Sequence, residues 1–167
     1  MDAERHRLLG IYLNDHFGGS TGGVEMARRS RDANDGTDFG PPLTVICREI
    51  EEDRATLETV MEELGIDRSR LKPALAWLGE KVGRLKPNGR LRGYSPLSRV
   101  LELEGLSMGI VGKTELWRTL SGLGLDQRAG VDFEALAGRA EEQRQAIADL
   151  HQVAVAVLDA PAEEALR

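Results

Sequence analysis

Apolar residues recur along this chain at spacings of three and four, the period of a helix with one buried face. In the first segment Leu8, Leu9, Tyr12, His16, Met26 and Ala27 keep that spacing and predict a helix over residues 5–33. The tract Gly18 to Gly23 is its weak point, because it holds four glycines and each costs a helix roughly 1 kcal/mol relative to alanine. The apolar phase before the tract continues after it, which favours an unbroken helix. A glycine hinge or loop is the alternative.

The stretch RDANDGTDFGPP has the asparagine, aspartate, glycine and paired prolines of a linker. Beyond it Leu43, Ile46, Cys47, Ile50, Leu57, Val60, Met61 and Leu64 form the clearest amphipathic stripe of the chain, over residues 43–64, with Gly65 placed to end it. A shorter helix over 70–85 carries Leu71, Leu75, Leu78 and Leu85, with Trp77 beside its apolar side. Ser95 followed by Pro96 is an N-cap with proline at the first helical position, and opens a helix over 96–121. Its apolar residues, from Leu97 through Met108, Ile110 and Val111 to Trp117, occupy more than one face, as expected of a helix buried on most sides. GLGLDQRAGVD reads as a connection, and a last helix spans 132–159 before Pro161.

Composition supports this reading. Leucine and alanine number 23 and 17 against 10 valines and 6 isoleucines, and only 4% of residues are aromatic, a balance that favours helices over strands. A chain of 167 residues fits one domain with a sizeable core. The expected fold is therefore all-α: a single helical-bundle domain over 1–167, an antiparallel four-helix bundle with one additional short helix.

Charge narrows the function classes. The net charge is −6 with both signs interspersed, so no basic field exists to neutralise phosphates, and nucleic acid is not an expected partner. The one concentrated basic tract, Arg84 to Tyr94, reads as a solvated loop. The charge runs REIEEDR and RAEEQRQ read as solvated helix faces. A single cysteine, Cys47, permits no intramolecular disulfide and points to a reducing compartment, with the cytoplasm as default. The N-terminus lacks the apolar core of a signal peptide, and nowhere do 18 apolar residues run together, so no membrane span is expected.

Two patterns invite a chemical reading. Gly112, Lys113 and Thr114 in SMGIVGKTE look like the end of a phosphate-binding loop, with VAVAVLDAP near the C-terminus as its acidic strand at Asp159. Such a loop needs a glycine five residues before the glycine of GK, where Ser107 stands; Gly105 and Gly109 both miss the register. Helical packing through small residues accounts for the tract better, and a nucleotide-binding enzyme is the weakest reading.

The second pattern is a set of ionisable residues on otherwise apolar stripes: Asp15 and His16 in the first long helix, Asp53 in the second with Glu49 at its margin, Glu104 in the third, and Arg144 and His151 in the last. Each would carry a desolvation cost of several kcal/mol if buried alone, so partners are expected. This arrangement resembles the ferritin-like superfamily, whose four-helix bundles hold two metal ions on inward carboxylates and histidines. The resemblance implies Glu49, Glu104 and Glu142, with Asp53 beside them, as oxygen ligands for iron or manganese. The family's Glu-x-x-His motif is absent, since Glu52 follows Glu49 and Gln145 follows Glu142 at that spacing. His6 and His16, ten residues apart, stand about 15 Å from each other along a straight helix, too far to share one ion in the manner of DinB-type histidine triads.

These residues favour a salt-bridge cluster of Asp15, Asp53 and Glu104 with Arg144, joined by His16 or His151, because guanidinium accepts carboxylates in a fixed fork. No metal, cofactor or catalytic residue is then expected. The role expected is self-association or partner binding through an apolar helix face, suggested by Trp77, Trp117 and the two-sided apolarity of the 96–121 helix. A carboxylate-based divalent-metal protein of redox or stress chemistry is the alternative.

Overall fold

The computed structural model describes residues 2–68 and 94–158, which form five helices and no strand. They are α1 (Ala3–Ala33), α2 (Gly40–Glu63), α3 (Pro96–Gly122), the single turn α4 (Asp126–Ala129) and α5 (Phe133–Leu158). No described helix is long and apolar enough to cross a membrane. The helix expected over 70–85, most of the basic tract, and Asp159 lie outside the described residues.

Several helix ends have a local chemical reason. Asp2 caps α1 by accepting the amide of Arg5 at 2.8 Å. The glycine tract does not break α1, and Ser20 returns its hydroxyl to the Phe17 carbonyl at 2.7 Å within it. The buried line of α1 is Leu9, Leu13, Val24, Ala27 and Ser30, turned from the expected one, so that Leu8 faces outward and is 52% exposed.

The linker is shorter than the sequence suggests. α2 starts at Gly40, with both prolines inside its first turn, where their missing N–H groups have no intrahelical acceptor to lose. Gly40 lies so close to the end of α1 that a Cβ there would stand 2.8 Å from the Asn34 carbonyl oxygen. At the other end of α2, Gly65 takes a left-handed φ of 68°, and the Ile66 amide reaches back to the Met61 carbonyl at 2.8 Å. Ser95 caps α3 by accepting from the Ser98 amide at 3.1 Å, with Pro96 following it. The connection before α5 contains the unanticipated α4, closed by Gly130 at φ 66° and tied to α5 by the Asp126 carboxylate on the Phe133 amide at 3.1 Å.

α1 packs on α2 and α3, α3 packs along α5, and α2 touches α4 and α5. One continuous core results, with Leu13, Leu43, Met61, Leu103, Ile110, Leu120 and Ile147 fully enclosed and Trp117 stacked on Phe133 at 5.9 Å between ring centroids. α3 is not buried on most sides. Its outer face leaves Leu97, Met108 and Val111 in solvent.

Two glycine substitutions test this packing with opposite signs. Gly40→Ala is expected to cost about 1–3 kcal/mol, because the new methyl group meets backbone. Gly138→Ala, on an open stretch of α5 with nothing within 4 Å of its Cβ position, is expected to add about 0.5–1 kcal/mol. Urea denaturation midpoints of the two variants read the difference.

Candidate functional site

Asp53 falls on the buried stripe of α2, between Ile50 and Leu57, and is 3% exposed. A carboxylate at such a position needs partners from neighbouring helices. Lys113 of α3 and Arg139 of α5 provide them: the Lys113 ammonium donates to Asp53 Oδ2, and the Arg139 guanidinium donates to Oδ1. Lys113 also donates to the side-chain carbonyl of Gln143, and Arg139 reaches Glu52 at 3.3 Å. Gln143, buried on α5, completes the cluster by donating its amide to Glu49 at 3.0 Å and to Asp53 Oδ2 at 3.3 Å.

Three helices thus meet at one carboxylate. Burial pulls the Lys113 amine below the ordinary lysine range, and the negative charge of Asp53 opposes that pull. The oxygens of Asp53 are filled by donors from its own chain. Among the described residues no group of three histidine, cysteine, aspartate or glutamate side chains is placed to hold an ion.

The structure brings Glu49 and Asp53 together and scatters the other expected members. Glu104 is exposed on the flank of α3 and meets His151 of α5 at 3.2 Å. Arg144 turns to Glu141 on its own helix at 2.8 Å, so the guanidinium beside Asp53 belongs to Arg139 and the ammonium to Lys113. Asp15 is exposed, and Glu142 lies on the solvent side of α5. His16 packs edge-on against Tyr12 with 4.6 Å between centroids, and its burial lowers its pKa against the opposing effect of Asp15. Gly112, Lys113 and Thr114 lie inside α3, where no loop curls to cradle a phosphate, and residues 153–158 of the apolar run belong to α5.

A second buried charge lies near the start of α3. Glu102 takes a salt bridge from Arg29 of α1 at 2.9 Å and the hydroxyl of Tyr94 at 2.7 Å. Asn34, at the end of α1, donates to Tyr94 at 3.3 Å and accepts from Arg99 at 2.6 Å. The Arg99 guanidinium lies 4.2 Å from the Phe39 ring centroid. Burial and the bond to Glu102 push the Tyr94 phenol well above the ordinary tyrosine range. Cys47, also buried, lies 3.7 Å from an Arg31 nitrogen, and burial raises its thiol pKa, which keeps it protonated.

Lys113, Arg139, Gln143 and Glu102 were all missed by sequence reasoning, although the spacing holds a signal for the first three. Lys113 continues the line Leu103, Leu106, Ile110 and leads to Trp117; Arg139 and Gln143 continue from Leu136 and lead to Ile147.

The cluster predicts an unequal pair of mutants. Asp53→Ala takes the counter-charge from Lys113, 14% exposed, and from half-buried Arg139, which keeps Glu52, and is expected to cost about 2–4 kcal/mol. Lys113→Met leaves Asp53 held by Arg139 and Gln143, and is expected to cost about 0.5–1.5 kcal/mol. Chemical denaturation at neutral pH compares them, and equal losses would contradict the assignment.

Two buried groups also give opposite alkaline trends. Lys113 has a folded pKa below its unfolded value, so its contribution to stability is complete above the unfolded pKa and is lost as pH falls through the folded one. Tyr94 has a raised folded pKa, so its contribution is complete below the unfolded value, about 10, and is lost as pH rises through the folded one. As pH rises from neutral toward the unfolded lysine value, about 10.4, the stability of the native protein relative to Lys113→Met should rise, while relative to Tyr94→Phe it should fall above pH about 10. Neither slope should exceed about 1.4 kcal/mol per pH unit. Urea midpoints measured across that range check both signs.

No protein-family model matches the chain, and comparison with curated proteins and with solved structures finds no match.

Proposed function

We propose that this chain is a non-enzymatic, ferritin-like helical bundle of the cytoplasm whose role is association, with itself or with a protein partner, through an apolar helix face. The observation that carries the reading is the outer side of α3, where Met108 is 69% exposed and Val111 46% exposed on a helix whose inner side is fully packed. The pairing of the core carboxylate supports it, since Lys113, Arg139 and Gln143 fill both oxygens of Asp53, although the buried Nε of Arg139 has no partner among the described residues.

The residue pairings support a ferritin-like chain course. Along α1 and α2, Phe17 lies by Arg54 and Arg28 by Glu51; along α1 and α3, Met26 lies by Gly105 and Arg29 by Glu102. Along α3 and α5, Glu104 lies by His151 and Lys113 by Gln143. Numbering rises on one helix as it falls on the other in every pair, which fits an antiparallel bundle. The end of α2 lies by the Gly10 end of α1, and the start of α3 by the Asn34 end, so one long crossover joins opposite ends. Ferritin-like bundles have one such crossover.

Sedimentation velocity from low to high micromolar protein tests the self-association arm, and a weight-average mass that rises with concentration is expected. A mass fixed at the monomer throughout, with no protein retained specifically by the immobilised chain, would remove the reading. The competing reading, iron or manganese held by carboxylates, meets a lysine and an arginine already on Asp53. Added iron, manganese or zinc is accordingly expected to leave the melting temperature unchanged, and a saturable rise would restore the metal reading.

A further inference from the structure

Resting on the association reading, the geometry points to a second copy of this chain as the partner, docked on the outer face of α3 about a two-fold axis at Val111. Single exposed apolar side chains are ordinary on protein surfaces. This face is more than that, because Leu97, Met108 and Val111 project from one side of one helix and are 40%, 69% and 46% exposed.

Not every glycine of α3 has a packing explanation among the described residues. Gly105 has one, for a Cβ there would stand 2.7 Å from Met26 Sδ of α1. Gly109 and Gly112, one and two turns further along, have nothing within 4 Å of the same position. A glycine inside a helix costs roughly 1 kcal/mol relative to alanine. By helix geometry Gly109 and Gly112 lie about 160° and 100° round α3 from Val111, on the side that Gly105 turns to α1, so the docking face rests on its apolar and charged side chains and not on these glycines.

The charges on the face select the partner and its direction. Val111 lies seven residues from Glu104 and seven from Arg118, nearly two helical turns each way, and both charged side chains share its side of α3. Two copies of α3 laid side by side in opposite directions, with Val111 against Val111, bring Glu104 of each copy to Arg118 of the other. Both ion pairs are made at once, as an isologous two-fold interface requires. Laid in the same direction, the helices would set Glu104 against Glu104 and Glu115 against Glu115, a like-charge arrangement that disfavours that pairing. Within its own chain Arg118 holds Glu115 at 2.9 Å and Glu104 meets His151 at 3.2 Å, so both charges are already oriented along the rim.

The test combines charge reversal with cross-linking in the full chain. Glu104→Arg and Arg118→Glu are each expected to weaken dimerisation by about tenfold or more in sedimentation equilibrium, and the double reversal to return it close to the native value. In a Cys47→Ala background, Val111→Cys should give a disulfide-linked dimer with diamide, and Leu8→Cys, exposed on α1, should give little. Circular dichroism and urea midpoints at low concentration confirm that each variant folds. Should a variant fail to fold, Met108→Arg on the same face serves instead, with loss of dimer and an unchanged monomer midpoint expected. A native dimer that survives both single reversals and does not cross-link through Val111→Cys overturns this interface and leaves self-association standing. A native chain that is monomeric at all concentrations overturns the interface and, with it, the self-association arm of the reading.

Discussion

A carboxylate removed from water on three sides governs much of this bundle. Asp53 sits on a stripe of α2 whose other buried residues, from Leu43 and Cys47 to Met61, carry no charge, and its own charge there is tolerable only with donors brought from other helices. Lys113 and Arg139 meet that need from α3 and α5, one on each oxygen. Hydrophobic contact alone would allow these helices to slide by a turn at modest cost. A slide by one turn would separate both cations from Asp53 and leave that buried carboxylate and the Lys113 ammonium unpaired, which costs more than the contacts regained. The cluster therefore sets the register of α2, α3 and α5, whatever its net contribution to stability.

The second cluster does for α1 what the first does for the other helices. Glu102 draws Arg29 across from α1, while Asn34 and Arg99 join the end of α1 to the start of α3. Between the two clusters α1 and α3 carry glycines, and close approach at Gly105 depends on the absent side chain. Polar groups fix the level of the helices, and small residues fix their separation.

The helices themselves were legible because their signals are local. Ser95-Pro96 opens α3 where the capping rule places it, and Gly65 closes α2 in the left-handed conformation that few other residues adopt. The start of α2 was read late because Pro41 and Pro42 look like a stop, yet both fit a first turn. The partners of Asp53 were not legible in the same way. One residue along a helix turns its side chain by about 100°, so Arg144 and Gln143 face different directions although they are neighbours. Guanidinium chemistry favours arginine as the balancing residue, yet Lys113, inside a tract that looks like a phosphate loop, holds one of the two Asp53 oxygens. Lys113 continues the inner apolar line of α3 from Ile110 to Trp117, and that spacing outweighs the local resemblance.

α3 joins the core charges to the surface. Its inner side contributes Glu102 and Lys113, one to each buried cluster, so its rotation about its own axis is fixed at two levels. Fixing that rotation also fixes what points outward. If Lys113 faces Asp53, then Met108 and Val111 cannot turn inward, and Glu104 and Arg118 are held on the same outer side. An exposed apolar line on a loosely held helix would bury itself by rotation; on α3 the buried ion pairs oppose that escape. The polar core is thus the reason the apolar face stays presented to solvent, where another surface can cover it.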